Sequence, residues 1–280
     1  MARKPSIYPY FWRAPLLIWQ GLFFVGPLIL MVAMSFWLVR NYRMEPDFVL
    51  ANWERMLTRD YFWSAYQVTF LRASIAAALA SLFAFPASYA LAFLVSETTR
   101  RWAIFFLIVP FFTSYLVRVY AWQVLLAESG PVNAVIGFVG LGPFTMLNSG
   151  FGAMVGYLTL IMPLVVILQT FSLAAIDRNL IEAAWNLGAS PRRTLVRVIV
   201  PAAKVGLILG AVFAFILSFG DFVSPFYLGG SKPPTLSILI IDTTKSGQQW
   251  PRAAVVAVMM ILTLFTVAFA AVGAAYRRNA

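Results

Sequence analysis

Few side chains in this sequence can do covalent chemistry. Among its 280 residues there is no histidine and no cysteine. That removes the usual general base, the commonest metal ligand, every thiolate nucleophile and every disulfide. The 10 carboxylates are scattered, and no two share one long apolar run. Paired carboxylates for acid–base work at a membrane edge are therefore not expected, nor is a metal site. Three charges fall inside or near the ends of long apolar runs: Arg72, Arg118 and Asp221. A charge at membrane depth costs about 2.5–3.5 kcal/mol on insertion scales, so it faces the protein interior or a water-filled path. Arg72 lies a few residues into its run and is expected to snorkel to the nearer surface. Arg118 and Asp221 either pair with each other or line a solute path, and the sequence leaves both open. An ammonium needs a carboxylate or an aromatic face. Asp221, with Tyr115, Tyr120, Trp122 and Phe222 as aromatic neighbours, would suit a cationic solute. An arginine in the same path would suit an anionic or zwitterionic one.

The elements that position these residues follow from composition. The chain is 61% hydrophobic and 11% charged, against about half and about a quarter in ordinary globular domains. So few charges could not cover a soluble core, and lipid is the alternative solvent. A spanning helix needs roughly 20 mostly apolar residues. Six stretches qualify, at about 16–38, 66–95, 102–126, 151–175, 202–228 and 253–275. The expected fold is an all-α membrane protein of six transmembrane helices in a single domain, 1–280. The basic N-terminus before the first run could pass for a signal peptide, but no small-residue cleavage site follows, so an uncleaved span is expected.

The net charge of +11 is not a nucleic-acid footprint, because the basic residues sit in short stretches between apolar runs. With the N-terminus cytoplasmic, the inner stretches hold Arg3, Lys4, Arg13, Arg100, Arg101, Arg178, Arg192, Arg193, Arg197, Lys204, Arg277 and Arg278. The outer ones hold Arg40, Arg43, Arg55, Arg59, Lys232, Lys245 and Arg252. This asymmetry predicts a multi-pass membrane protein with both termini inside. The loop 127–150 has no Lys or Arg, as an external loop should. The segment 40–65 carries four Arg against Glu45, Asp47, Glu54 and Asp60. It reads as a solvated connector or as a short interfacial helix with Trp53, Met56 and Leu57 on one face.

One basic-side stretch, 177–201, has its own grammar. Asp177 can cap a short helix presenting Leu180, Ala183, Ala184 and Leu187 on one face. Gly188 supplies the left-handed residue that ends it. Ser190 then caps a second helix with Pro191 at its first position, and Pro201 marks the entry to the fifth span. A short helix with an exposed apolar face is unstable unless it docks onto something.

This stretch resembles the EAA loop of binding-protein-dependent ATP-binding-cassette importer permeases: Glu-Ala-Ala, three residues, Gly, nine residues, Ile-x-Leu-Pro. Here it reads Glu182-Ala183-Ala184, Gly188 and Val198-Ile199-Val200-Pro201, with the spacing kept in full and valine replacing the outer Ile and Leu. Pro110 to Leu126, Ser218-Phe219-Gly220-Asp221-Phe222-Val223-Ser224-Pro225 and Gly229-Gly230 look like the spermidine/putrescine permease group, nearer to the first of its two permeases. The resemblance implies a type I importer permease fold without an enzyme site. Glu182, Ala183, Ala184, Leu187, Gly188 and Pro201 would couple to a cytoplasmic ATPase dimer. ATP and Mg²⁺ would be held by that subunit, with no cofactor on this chain. It further implies a bacterial inner membrane as the location, a second, homologous permease, a periplasmic solute-binding protein, and a polyamine, or else an opine, amino acid or other amine, as solute. A secondary transporter or channel would also have six spans but would need no docking loop.

Overall fold

The computed structural model describes residues 8–276, with side chains from Arg13 onward. Arg3, Lys4, Arg277 and Arg278, which enter the orientation argument, lie outside the described residues. Contacts divide the chain into two compact units, Met1–Phe62 with Leu239–Ile261, and Trp63–Ile238 with Leu262–Ala280.

In the first unit, α1 (Tyr8–Gln20) and α2 (Gly26–Met34) are joined by a wider π turn, Gly21–Val25. Pro27 has no N–H for the carbonyl four residues back, and the widened turn absorbs that missing bond. The result is an apolar helix, Arg13–Met34, of which the chain itself buries nothing. A two-stranded hairpin follows, β1 (Leu38–Arg40) against β2 (Arg43–Glu45), with Val39 opposite Met44. Then comes α3 (Ala51–Leu57). Its Met56 is buried and Trp53 half-buried. Trp53 stacks on Phe36 at 6.0 Å and donates its indole N–H to Ser35 Oγ at 3.1 Å. Asn52 Nδ2 donates to the carbonyls of Ser35 and Trp37. The apolar face expected of this segment is turned onto the chain itself, which removes the surface an interfacial helix would offer to lipid.

The second unit begins within α4 (Asp60–Tyr89), which continues through a π turn, Ala90–Leu94. α5 (Glu97–Ile108) runs into a tighter turn, Val109–Phe112, followed by α6 (Tyr115–Leu126) and α7 (Pro131–Phe138). α8 (Gly150–Ala174), the short α9 (Arg178–Asn186) and α10 (Pro191–Thr194) come next. A π turn at Leu195–Ile199 leads through α11 (Val200–Ala202) into α12 (Lys204–Gly220), and then α13 (Val223–Tyr227), α14 (Leu236–Lys245) and α15 (Trp250–Tyr276). After Phe62, the buried positions of α4 and the π turn that continues it are small: Ala65, Thr69, Ala73, Ala76, Ala77, Ala80, Ala84, Ser88 and Ala92. This spacing is one helical face, and small residues let helices approach closely where lipid supplies no hydrophobic drive. α4 is bonded there to α8, through Ser88 Oγ to the Val166 carbonyl and Gln169 Nε2 to the Ser81 carbonyl, both at 3.1 Å. α8 is the hub of the unit, packed along α12 and α13 and against α5 and α6.

Among the described residues, four unbroken helices are long and apolar enough to cross a bilayer: Arg13–Met34, Asp60–Leu94, Gly150–Ala174 and Trp250–Tyr276. Two further spans are bent, Glu97–Phe112 with Tyr115–Phe138 by 92°, and Pro191–Ala202 with Lys204–Gly220 by 71°. The expected third span, 102–126, is therefore interrupted at Thr113–Ser114. Pro110 removes a backbone donor, and Thr113 takes an extended conformation. The fifth, expected over 202–228, stops at Gly220. Asp221 is extended with ψ 128°, and its side chain accepts from the next turn instead of letting the helix continue.

Candidate functional site

The loop between α8 and α12 folds as its residue types dictate. Asp177 Oδ1 accepts from Asn179 N at 3.0 Å and caps α9. Gly188 ends α9 with φ +77°, a conformation that side chains with a Cβ rarely adopt. Ser190 Oγ accepts from Arg193 N at 3.4 Å, with Pro191 opening α10. α9 is held to the protein by Ile181, which joins a buried cluster of Ala92, Leu173, Ile199 and Ala203. The opposite face is bare. Leu180 is 52% and Leu187 88% exposed, with Ala183 exposed and Ala184 half-buried between them. Glu182 is exposed and, with Arg178, Ile181 and Trp185, lines a groove against Tyr89, Phe93, Leu94 and Ile199. Pro201 is exposed at the foot of α12. This arrangement is an apolar ledge on a short, capped helix, suited to receiving a partner and lacking any reactive group.

The second candidate region gathers where the two interrupted spans meet. Asp221 is buried and accepts four hydrogen bonds. Val223 N donates at 2.8 Å to Oδ1, Ser224 N at 3.3 Å and the Tyr115 hydroxyl at 2.7 Å to Oδ2, and Ser224 Oγ closes on the same oxygen. The Tyr115 and Ser224 hydroxyls also lie against each other, and with both protons directed at Oδ2 this contact adds no further hydrogen bond. A carboxylate offers about four acceptor positions; here Oδ2 takes three of the bonds and Oδ1 one, so Oδ2 is crowded with donors and Oδ1 keeps room for another. Arg118 does not pair with it. Its guanidinium lies over the Tyr115 ring, 5.6 Å from the centroid, and Nη1 donates to the Thr159 carbonyl at 3.3 Å, while Nε is buried without a partner. Tyr115 thus stands between the two charges, its ring toward the cation and its hydroxyl toward the anion. The direct ion pair weighed from the sequence is replaced by hydroxyl and backbone donors, which take the place of water around a buried carboxylate.

The remaining sequence candidates are less engaged. Trp122 is half-buried on α6, Phe222 is half-buried with its ring 4.9 Å from Phe226, and Tyr120 is exposed with its ring 5.2 Å from Tyr227. Arg72 is half-buried and its Nη1 is buried without a partner, so it does not simply reach the surface as expected. Sequence reasoning missed Ser224 and Gly156. A Cβ on Gly156 would stand 2.5 Å from Ser224 Oγ, so only glycine lets α8 come this close to α13. Ser224 had a local signal, a hydroxyl three residues after Asp221, the spacing of a side-chain cap.

Comparison with known proteins bears on the family and the fold. A family model described as the binding-protein-dependent transport system inner membrane component matches residues 76–279. The chain is similar to the inner membrane ABC transporter permease protein YdcU of Escherichia coli, at 28% identity over 76% of this chain and 72% of that one. It is similar to the spermidine/putrescine transport system permease protein PotB of the same organism, at 28% identity over 88% of this chain and 90% of that one. Among solved structures, a chain of a bacterial ABC transporter that imports the acidic polysaccharide alginate superposes with a TM-score of 0.74 over 98% of this chain and 96% of that one, at 17% identity, which is a likeness of fold.

Proposed function

This chain belongs to the binding-protein-dependent transport system inner membrane components, and from that premise we propose that it forms the solute path for a small organic amine, a polyamine in first place. It is a multi-pass permease subunit of an ATP-binding-cassette importer, and ATP hydrolysis falls to separate subunits. The observation that carries the polyamine reading is the likeness to the spermidine/putrescine permease along nearly the whole of both chains. In this reading a periplasmic binding protein delivers the solute, a second, homologous permease completes the path, and both termini are cytoplasmic. The apolar ledge of α9, with Glu182, Ala183, Ala184, Leu187 and Gly188, seats on a cytoplasmic ATPase dimer.

A second solute class has its own support. Asp221 already takes four hydrogen bonds from the protein, whereas Arg72 and Arg118 each bury a nitrogen without a partner. An amine that also bears a carboxylate, such as an amino acid or opine, would supply the missing acceptor. The test is ATP-driven uptake into proteoliposomes holding the assembled transporter, with labelled spermidine and a labelled amino acid in parallel. Spermidine uptake supports the polyamine. Uptake of the carboxylate-bearing amine alone rejects it.

A further inference from the structure

Two of the spans are interrupted, and their interruptions meet at one side chain. The third is bent by 92° at Thr113–Ser114, and Tyr115 is the first residue of the helix beyond. α12 stops at Gly220, Asp221 is extended, and α13 starts two residues later. The Tyr115 hydroxyl reaches from the first break to the second, donating to Asp221 Oδ2 at 2.7 Å and lying against the Ser224 hydroxyl. Farther along, α6 is bonded again to α13 by Gln123 Nε2 to the Tyr227 carbonyl at 2.7 Å.

An interruption removes the backbone bonds that make a helix a rod, so the pieces on either side can turn against each other. Hinge residues are a few element-terminal positions that absorb such changes. Gly220 has open space where its Cβ would be, so no side chain blocks rotation there. We propose that Tyr115 is a positioning residue that latches these two hinges, holding both breaks in one arrangement until the transport cycle draws its hydroxyl off Asp221. This rests on the reading of the chain as an importer permease. The local chemistry suits a reversible contact. When the phenol leaves, Asp221 keeps the Ser224 hydroxyl and two backbone N–H donors, so no bare carboxylate is buried. The departing ring keeps the Arg118 guanidinium over its face. Neither state strands a charge, which is what a small gap between two states requires.

Tyr115→Phe keeps the ring and removes one hydroxyl. In the assembled transporter, without solute or binding protein, basal ATP hydrolysis is expected to rise about tenfold, the population shift that a hydrogen bond to a charged group controls. Ser224→Ala removes a donor that Asp221 keeps in both states, so basal hydrolysis should change far less than in Tyr115→Phe. Tyr276→Phe, at an exposed tyrosine outside the cluster, should change nothing. Hydrogen exchange on the purified chain gives a reading free of any solute or ATPase: amides of 115–119 and 221–227 should exchange faster together in Tyr115→Phe. Unchanged exchange at 221–227, or lower membrane abundance with unchanged ATP hydrolysis per complex, would make Tyr115 a static tie and overturn the proposal. A wild-type transporter inactive toward every amine would refute the solute reading alone, since exchange and basal hydrolysis are measured without solute.

Discussion

Asp221→Asn separates a carboxylate held by hydroxyls from one held by an arginine. The amide keeps the size but puts an NH₂ group where donors now converge, leaving buried donors unmet at about 1–3 kcal/mol each. Membrane abundance and the thermal midpoint in detergent should both fall. Because Tyr115 and Ser224, not Arg118, complete the carboxylate, adding Arg118→Gln should neither rescue nor deepen the loss beyond additivity. Strong coupling between the two substitutions would contradict the geometry. Gly188→Val tests the loop in the same way. Nothing lies within 4 Å of the added Cβ, so the penalty is confined to the backbone, where a β-branched residue at φ +77° is strongly disfavoured. Insertion should be normal and ATP-driven uptake should fall severalfold. Normal uptake by this variant would remove the coupling role.

At the scale of elements, α9 has two faces that should answer differently to the same change. Leu180→Asp with Leu187→Asp alters side chains 52% and 88% exposed, so the stability of the chain should stay within about 0.5 kcal/mol. Co-purification of the ATPase should nonetheless be lost. Ile181→Asp instead places an unpaired charge in the cluster with Leu173 and Ile199, which should destabilise by more than about 3 kcal/mol. Equal behaviour of the two variants in both assays would mean that the exposed face does not dock. The caps of this loop were legible because Asp177, Gly188, Ser190 and Pro191 act through their own backbone and that of close neighbours. Ile181 was not singled out, because which apolar residue faces inward depends on where Ala92 and Ile199 come to lie.

For the whole molecule, the distribution of Lys and Arg predicts both termini on one side and 127–150 on the other. Reporter fusions after Ala280 and within 127–150 should report opposite faces, and agreement between them would overturn the orientation. The sequence by itself determined the class of solvent, the existence and rough places of the apolar spans, and the capped shape of the loop 177–201, because each follows from composition or from bonds within a few residues. It could not place the breaks in the third and fifth spans. Hydropathy sums side-chain transfer energies and stays apolar straight through Thr113–Ser114 and Asp221, whereas a break is set by which backbone groups find other partners. Only the tertiary structure decided what Asp221 and Arg118 do. Both are buried charges in search of a partner, and the choice fell to Tyr115 and Ser224, residues 106 and 3 positions from Asp221. That choice depends on α8 approaching α13 closely enough at Gly156 to fix where Ser224 sits, a contact distance that no local pattern encodes.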